Sequence, residues 1–350
     1  MTKIPCALLG GTGIVGQRFV KMLDDHPFFE LELIIASEKN ESKQYGNAVH
    51  WMIEGDIPSA IRQLKIQTFN LDLFKKRGIK VIFSALPPDI AKPWEKNLAE
   101  HGYAVFSNSC AYRLDKTVPL LIPEVNPDHI RLVECQTKNQ RGYIVTNPNC
   151  STTGLAIALK PLMKYKIKRA IVSTYQALSG AGYPGVPALD IQSNVIPYIK
   201  DEEEKIENET KKIFGVFQNN KITNSNIDIV PSCVRVPVRE GHLESVVVEF
   251  EDNIELADIK QAMRMLPSIK NLPTSPIKPI IVRDEEDRPQ PGLDLHAGQP
   301  GRAKGMSITI GRFKKYQKQV RFFLLVHNTV RGAAGNSILN AEYAMEKGYL

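Results

Sequence analysis

Residues 4–17 read IPCALLGGTGIVGQ, an apolar run that leads into a glycine-rich turn. The apolar residues of the next stretch, 18–23, recur at helical spacing, so the predicted order is strand, turn and helix. Within the turn, Gly11, Gly13 and Gly16 satisfy the spacing GxGxxG. Glycines in this context let the backbone approach a pyrophosphate group at the helix N-terminus. The segment therefore predicts an N-terminal domain that binds a dinucleotide.

The end of the second predicted strand indicates which dinucleotide is bound. Residues 31–36 form an apolar run that ends about twenty residues beyond the glycines, where such domains contact the ribose. Ser37 and the nearby Lys39 and Lys43 suit the 2′-phosphate of NADP. Glu38 is instead the kind of residue that binds the two free hydroxyls of NAD. The sequence favours NADP, and NAD stays open.

The remaining strand and helix patterns divide the chain into two parts. A strand, a helix and a further strand are predicted between residues 81 and 106, which continues the α/β alternation. After residue 150 long strand-like runs predominate, and we expect a mainly antiparallel sheet with helices on one face. The predicted fold class is α/β, with an N-terminal Rossmann-like doubly wound domain and an α+β catalytic and dimerisation domain. The expected boundaries are 1–149, joined by a C-terminal helix at 330–350, and 150–329.

Composition limits the classes of protein to which the chain could belong. The 350 residues include 45 Lys and Arg against 38 Asp and Glu, a net charge of +7. This excess suits small anions, and no nucleic-acid-binding motif accompanies it. No apolar run approaches the ~18 residues of a membrane span, and the N-terminus leads directly into a strand, so we expect a cytoplasmic protein. The five cysteines form no CxxC pair, and neither disulfides nor a metal site is expected.

A second motif surrounds one of the cysteines. Residues 146–154 read TNPNCSTTG, between a β-rich apolar segment and apolar residues at helical spacing. Cys150 is therefore expected in the first turn of a helix, where the partial positive charge favours the thiolate. The alternative is a buried cysteine that acts as a small hydrophobe. The polar flanks of Cys150 favour the reactive cysteine.

A thiol next to a dinucleotide domain suggests an aldehyde oxidoreductase, because hydride transfer needs a substrate held covalently beside the nicotinamide. Such a thiol needs a base. His242 is the best candidate among the seven histidines, because it lies where a predicted strand meets a turn and positive charge clusters. His50, His296 and His327 remain open.

Taken together, these motifs resemble those of the aspartate-semialdehyde dehydrogenases of archaea and fungi over nearly the whole chain. The matching segments are GGTGIVGQ at 10–17, SNS at 107–109 with Arg113, TNPNCSTTG at 146–154, QALSGAGY at 176–183, EEEK at 202–205, RVPVREGH at 235–242, IVRDEEDRPQP at 281–291 and NTVRGAAG at 328–335. The resemblance implies reversible, NADP-dependent reduction of aspartyl phosphate to aspartate semialdehyde and phosphate. In this family the reaction serves the biosynthesis of lysine, threonine, methionine and isoleucine.

The resemblance also implies roles for individual residues. Cys150 would carry the acyl group as a thioester, His242 would be the acid and base, and Gln176 would orient the acyl group. Arg113 and Lys205 would bind phosphate. The implied cofactor contacts are Gly11, Thr12, Gly13, Ile14, Val15, Ser37, Lys39, Ser84, Asn108, Ser179, Gly180 and Asn328.

The implied substrate contacts are Arg235, Glu202 and Asn149. A guanidinium group binds a carboxylate through two hydrogen bonds in a way that lysine cannot, which suits Arg235 to the substrate carboxylate. Glu202 would contact the substrate amine, although in its acidic run Glu203 remains possible. The family needs no metal and forms homodimers or homotetramers.

Two alternatives to this function stay open. The malonyl-CoA and succinyl-CoA reductases share the cysteine, the histidine and much of the scaffold. Asn147, Pro148 and Asn149 keep the semialdehyde pattern next to the thiol and so favour the dehydrogenase. A non-catalytic NADP-binding protein is the remote alternative, since it would not need this set of reactive residues.

Overall fold

The computed structural model describes residues 2–138 and 140–350, which fold around two six-stranded β-sheets and include a third sheet of two short strands, Val216–Gln218 and Lys221–Thr223. The strands are β1 (Ile4–Leu9), β2 (Phe29–Ile35), β3 (Ile66–Gln67), β4 (Val81–Ser84), β5 (Ala104–Ser107), β6 (Tyr143–Thr146), β7 (Ile167–Gln176), β8 (Val216–Gln218), β9 (Lys221–Thr223), β10 (Asp228–Arg235), β11 (His242–Phe250), β12 (Ile280–Val282), β13 (Ile308–Tyr316) and β14 (Gln319–Val326). The helices are α1 (Ile14–Leu23), α2 (Tyr45–Ala48), α3 (Ser59–Arg62), α4 (Leu71–Lys76), α5 (Pro88–Glu100), α6 (Leu132–Thr137), α7 (Cys150–Leu159), α8 (Ala188–Ile191), α9 (Glu202–Ile213), α10 (Leu256–Arg264), α11 (Pro291–Asp294) and α12 (Gly335–Glu346). In this part of the chain, none of the helices has the length and apolar character needed to cross a membrane.

The first sheet is parallel and has the strand order β3-β2-β1-β4-β5-β6. This is the order of a doubly wound dinucleotide-binding fold, so the predicted N-terminal fold is confirmed. Apolar side chains cover both faces of the sheet, because the connecting helices alternate between them. The C-terminal helix α12 packs near β4 and β5 and is buried from Gly335 to Ala344.

The turn between β1 and α1 requires glycine for steric reasons. A Cβ atom on Gly16 would overlap the carbonyl oxygen of Gly10, and one on Gly11 would lie 2.5 Å from Cγ2 of Ile34 in β2. The absence of side chains therefore lets α1 start close to the carboxyl end of β1. This is the close approach that the glycine spacing predicted.

The second sheet has the strand order β10-β7-β11-β14-β13-β12. Its central pairings, β7 with β11, β11 with β14 and β14 with β13, are antiparallel. Both edge pairings, β10 with β7 and β12 with β13, are parallel. The sheet is thus mixed rather than mainly antiparallel. The segment between β7 and β10 contains α9 and is long enough for the crossover that a parallel pair needs.

The two faces of the second sheet differ. Apolar residues of α7, α9 and α10 cover one face and form a core with the strands. On the opposite face of β7 and β10, Ile171, Tyr175 and Val230 keep 42%, 37% and 42% of their surface exposed. The structure therefore leaves a half-exposed apolar surface on this sheet.

Candidate active site

The helix predicted after the TNPNC motif begins at Cys150, the first residue of α7. The side-chain oxygen of Asn149 accepts hydrogen bonds from the backbone N–H groups of Ser151 (2.9 Å) and Thr152 (3.2 Å). An asparagine in this position satisfies amides that lack partners at a helix start. The prediction that Cys150 lies in the first turn of a helix is confirmed.

The thiol of Cys150 faces His242, the first residue of β11. The Sγ atom lies 3.1 Å from Nε2 of the imidazole. On the other side of the ring, the backbone N–H of Ala177 donates to Nδ1 at 3.0 Å. Because Nδ1 accepts this hydrogen bond, the neutral ring carries its proton on Nε2. His242 therefore presents an N–H group to the sulfur.

The three histidines that the sequence left open lie elsewhere. The rings of His296 and His327 are neighbours, with their centroids 5.4 Å apart. His50 lies near Tyr183, at 5.7 Å between ring centroids. Of the seven histidines, His242 is the one hydrogen-bonded to Cys150.

Burial is the main cause of the pKa shifts of Cys150 and His242. It raises the pKa of Cys150 to about 12, and the charge of Glu202 acts in the same direction. Burial, with help from Arg235, lowers the pKa of His242 to about 3. The pair therefore consists of a neutral thiol and a neutral imidazole at neutral pH. The sequence predicted that the charge at the helix N-terminus favours the thiolate, but in the free protein desolvation outweighs this effect and leaves Cys150 a thiol.

Glu202, the first residue of α9, is a buried carboxylate beside the nucleophile. Its Oε1 atom accepts hydrogen bonds from Nδ2 of Asn149 (2.8 Å) and Nε2 of Gln176 (2.9 Å). The neighbouring Glu203 is directed away, since its Oε1 accepts the backbone N–H of Cys233. Of the two candidate carboxylates, Glu202 is therefore the one that lines the cavity of Cys150, and Lys205 lines it too.

Arg113 reaches the site from the loop after β5. Its Nη1 atom donates to Oε1 of Glu209 at 3.0 Å, and its Nη2 atom donates to the carbonyl oxygen of Asn108 at 2.8 Å. The second oxygen of Glu209 accepts the backbone N–H of Asn149 at 2.6 Å. One carboxylate thus connects the candidate phosphate ligand Arg113 to the residue that precedes the nucleophile. The sequence did not single out Glu209.

Lys212 holds the loop that carries Arg113. Its buried Nζ atom donates to the carbonyl oxygens of Arg113 (2.7 Å), Asp115 (2.6 Å) and Val118 (2.7 Å). Burial lowers the pKa of Lys212 to about 8. The sequence missed this lysine as well, although a signal was present. Positions 202, 205, 209 and 212 recur at helical spacing and so share one face of α9.

Arg235 and Gln176 end neighbouring parallel strands and lie opposite each other in the register. Arg235 donates from Nη1 to the carbonyl oxygen of Ala177 at 2.7 Å. The turn at Leu178–Ala181 covers this region closely. A Cβ atom on Gly180 would lie 2.9 Å from Nη1 of Arg235 and 3.0 Å from Cε1 of His242. Glycine at this position therefore lets the turn lie directly on two of the predicted site residues.

Asn328 joins the same turn to the segment before His242. Its Nδ2 atom donates to Oγ of Ser179 at 2.8 Å, and its Oδ1 accepts the N–H of Gly241 at 2.8 Å. A π-helical turn, Val330–Ala334, follows. A Cβ atom on Gly332 in this turn would lie 2.6 Å from Cβ of Cys150, so glycine is required there too. The sequence did not predict this contact.

Two adjoining cavities could hold a dinucleotide next to Cys150. A cavity of about 880 Å³ extends from the glycine turn to the end of β2 and is bordered by Phe69 and Trp94, whose ring centroids are 4.5 Å apart. A second cavity of about 450 Å³ contains Cys150 and shares Gly13, Leu86 and other residues with the first. An apolar aromatic wall suits an adenine ring, and the start of α1 suits a pyrophosphate.

Most of the predicted cofactor residues line these cavities. Thr12, Gly13, Ser37 and Lys39 line the larger one. The residues that line the smaller one are Gly13, Ile14, Val15, Asn108, Ser179, Gly180 and Asn328. Gly11 and Ser84 line neither, because Gly11 packs against β2 and Ser84 is buried at the end of β4.

The protonation of Cys150 can be tested by alkylation. We expect the rate at which iodoacetamide modifies Cys150 in the free protein to rise about tenfold per pH unit between roughly pH 7 and pH 10, because the thiolate fraction rises in that proportion below the pKa. Mass spectrometry of the peptide that contains Cys150 would distinguish it from the other cysteines. A rate that levels off below about pH 8 would show that the thiolate is already formed at neutral pH.

The geometry agrees with two family models. Residues 5–133 match the semialdehyde dehydrogenase NAD binding domain, and residues 159–331 match the semialdehyde dehydrogenase dimerisation domain. The chain is 48% identical to an aspartate-semialdehyde dehydrogenase of Archaeoglobus fulgidus, with 97% of each chain covered. It is also 36% identical to a malonyl-CoA reductase (NADP) of Metallosphaera sedula, over 99% of this chain and 98% of that protein.

A solved structure extends the comparison to the fold. The crystal structure of aspartate semialdehyde dehydrogenase with NADP from Candida albicans superposes with a TM-score of 0.88 at 35% identity and covers 100% of both chains. Sequence and fold thus agree over the whole length. The chain belongs to the aspartate-semialdehyde dehydrogenase family.

Proposed function

We propose that the protein is an NADP-dependent, phosphorylating aspartate-semialdehyde dehydrogenase. It interconverts aspartate 4-semialdehyde plus phosphate and 4-aspartyl phosphate through a thioester on Cys150. The observation that carries this proposal is the 3.1 Å contact between Cys150 Sγ and His242 Nε2 at one end of a cavity that continues to the glycine turn. A nucleophile in that place can hold an acyl group beside a nicotinamide.

The reaction of the semialdehyde begins when the thiolate of Cys150 adds to the aldehyde carbon. The new carbon–sulfur bond leaves negative charge on the former carbonyl oxygen, and Nε2–H of His242 is placed to donate to it. A bound NADP would supply the acceptor for the hydride on this carbon, and loss of the hydride would give the thioester. A phosphate oxygen then attacks the thioester carbon, and the carbon–sulfur bond breaks to return the thiolate. The biosynthetic direction reverses these steps.

His242 acts in this scheme as a hydrogen-bond donor. The acid and base role implied by the family resemblance would require Nδ1 to carry the proton after Nε2 had released its own. The N–H of Ala177 donates to Nδ1, which disfavours that tautomer. A hydrogen bond from Nε2–H is sufficient for the reaction, and no proton needs to be transferred to the substrate oxygen. That oxygen regains its double bond to carbon when hydride or thiolate leaves. The same N–H group then stabilises the departing sulfur.

The proposed reaction needs two anion sites near the nucleophile, and Arg113 and Arg235 are both close enough to lower the pKa of Cys150. Arg235 would hold the substrate carboxylate, and Arg113 with Lys205 would hold the phosphate group. Arg113 keeps donors for this role, since its buried Nε atom has no acceptor among the described residues. Asn149 and Gln176 would place the acyl group, and both are held by Glu202.

The cofactor assignment to NADP follows from the end of β2 and from the relative of known structure. Ser37 and Lys39 line the larger cavity where a 2′-phosphate would lie. The Candida albicans relative was crystallised with NADP. The nicotinamide end would reach Cys150 past Ser179, Gly180 and Asn328, which line the smaller cavity. All five cysteines are free thiols, which agrees with the proposed cytoplasmic location.

A malonyl-CoA reductase is the second candidate, because one such protein is 36% identical to this chain. Glu202 argues against it. The carboxylate is buried, and its hydrogen bonds come from two neutral amides. A buried carboxylate calls for a cationic partner, which the amine of aspartate semialdehyde supplies and a malonyl group lacks.

An activity assay tests the proposed function directly. We expect the purified protein to reduce NADP in the presence of aspartate semialdehyde and phosphate, and not without phosphate. Cys150→Ala should lose the activity entirely because no thioester can form, whereas Cys135→Ala, which alters a partly buried cysteine outside both cavities, should keep it. Oxidation of NADPH by malonyl-CoA, in the absence of semialdehyde turnover, would contradict the proposal.

Gly180→Ala tests the close packing of the Leu178–Ala181 turn. The added Cβ atom would lie 2.9 Å from Arg235 Nη1 and 3.0 Å from His242 Cε1, so it should displace both side chains. We expect kcat/KM for the semialdehyde to fall roughly 10²-fold, the scale of a misplacement of about 1 Å at a reacting centre. Gly292→Ala is the matched control, since its Cβ atom meets nothing within 4 Å. Unchanged kinetics in Gly180→Ala would show that the turn lies elsewhere during turnover.

The half-exposed apolar face of the second sheet supports a homodimer as the assembly. It lies within residues 159–331, which match the dimerisation domain of the family. We expect the double substitution Ile171→Glu and Val230→Glu to give monomers in analytical ultracentrifugation, because two carboxylates would be buried at the interface. Met265→Glu, on an exposed residue at the end of α10, serves as control. A double variant that sediments like the wild type would place the interface elsewhere.

A further inference from the structure

Glu202 is a buried carboxylate with no cationic partner. Its side chain belongs to a residue that is 6% exposed, and no ion pair within residues 2–138 and 140–350 includes it. Both of its hydrogen bonds end on Oε1, which leaves Oε2 without a donor from the described residues. Buried carboxylates are normally paired, because a lone buried charge costs several kcal/mol in solvation. A ligand that enters the cavity lined by Glu202 can supply this partner.

The other carboxyl groups and the arginines around Cys150 differ from Glu202: each has an ion-pair partner, is neutral, or lowers the pKa of the thiol. Glu209 is paired with Arg113. Burial raises the pKa of Glu244 well above its ordinary value, so this carboxyl group is neutral. Arg113 and Arg235 lower the pKa of Cys150, whereas Glu202 raises it. The titratable or charged groups that face the thiol or line its cavity are His242 and Glu244 on β11, Arg235 on β10, Glu202 and Lys205 on α9, Arg113 and Cys110 in the loop after β5, and Tyr183 after the Leu178–Ala181 turn.

Glu202 also touches the nucleophile's own turn. Its Oε1 atom holds the side chain of Asn149, the residue directly before Cys150, and both Glu202 and Cys150 line one cavity. A charge that binds to Glu202 is therefore placed close to the sulfur in a site whose side chains are mostly buried. In such surroundings the interaction between charges is weakly screened.

We propose that the ammonium group of the substrate switches on the nucleophile, because it neutralises the carboxylate of Glu202 and so lets the thiolate of Cys150 form. The inference rests on the proposed function, since it assigns the amino group of aspartate semialdehyde to Glu202. The proton of the thiol leaves for solvent, because Nε2 of His242 already carries a proton. Selectivity for an amino-bearing aldehyde then lies in the reactivity of Cys150 as well as in binding.

This mechanism predicts how an aldehyde without the amine should behave. 4-Oxobutanoate has the carboxylate that Arg235 would bind, but it leaves Glu202 unpaired. Its carbonyl carbon would meet about tenfold less thiolate than the semialdehyde does, and the loss should appear mainly in kcat. A site that used Glu202 for binding alone would show the loss mainly in KM.

Alkylation of Cys150 isolates the switch from turnover. Two probes share the carbon skeleton of the substrate and have a methyl group in place of the aldehyde: L-2-aminobutanoate carries the ammonium group, and butanoate lacks it. With iodoacetamide, which is uncharged and does not compete for the arginines, we expect saturating L-2-aminobutanoate to accelerate modification of Cys150 about tenfold relative to saturating butanoate, as a shift of one pKa unit would. Both probes have the same four-carbon skeleton and end in the same methyl group, so steric shielding of the sulfur by that end cancels in the comparison.

Glu202→Gln provides the matching variant. Glutamine keeps an oxygen that can accept from Asn149 and Gln176, but it removes the charge. We expect its Cys150 to be alkylated about tenfold faster than that of the wild type without any probe, and L-2-aminobutanoate to cause no further acceleration. A purely structural role of Glu202 would not make the thiol more reactive. Glu204→Gln, which removes the same charge from the exposed face of α9, should behave as the wild type does.

Either of two results would overturn the switch. One is an equal alkylation rate with L-2-aminobutanoate and butanoate in the wild type, and the other is a Glu202→Gln rate at or below that of the wild type. These outcomes are independent of the activity assay. Turnover of semialdehyde without the ammonium effect would refute the switch and leave the proposed function intact, whereas the ammonium effect without turnover would refute the proposed function.

Discussion

The hydrogen bonds of Asn149 hold the turn that carries the nucleophile against α9 and the start of α7. Its N–H donates to Glu209, its Nδ2 donates to Glu202, and its Oδ1 accepts from the first amides of α7. Every polar group of the residue before Cys150 is thus engaged, and both carboxylates come from α9. Because buried polar groups are costly when unpaired, a change in any one partner affects the position of the sulfur. The geometry of the site therefore depends on this residue.

The same helix arranges the charges so that they match the ligands. Glu209 neutralises Arg113 in part, and Lys212 fixes the loop from which Arg113 projects. Glu202, Arg235 and Lys205 are left without ion-pair partners among the described residues. One negative and two positive groups correspond to an ammonium group, a carboxylate and a phosphate. A cavity with this set of charges is costly to bury without ligands and is stabilised when all three are present.

Local patterns predicted the parts of the structure that depend on local geometry. The glycine turn, the start of α7 at Cys150 and the pairing of Cys150 with a histidine follow from residue types and spacing. The acidic and basic residues of α9 resembled a solvated helix face, and only the packing of α9 against the nucleophile's turn reveals Glu209 as buried. The parallel edges of the second sheet depend on long connections. The high pKa of Cys150 could not be predicted either, because burial is a property of the assembled fold and outweighs the helix end that the sequence displays.

A thiol with a raised pKa suits a reaction that runs in both directions. A more basic thiolate is a stronger nucleophile: the logarithm of its rate of attack rises by about 0.4–0.5 for each unit by which its pKa is higher. The same thiolate is a poorer leaving group. Addition to the aldehyde benefits from basicity, whereas cleavage of the thioester by phosphate requires the sulfur to depart. Arg113, Arg235 and the Nε2–H of His242 stabilise the thiolate in the second step. The substrate's ammonium group remains on the acyl chain throughout, so its effect on Glu202 covers both steps. When the product leaves, the charge of Glu202 is restored and Cys150 returns to the less reactive thiol.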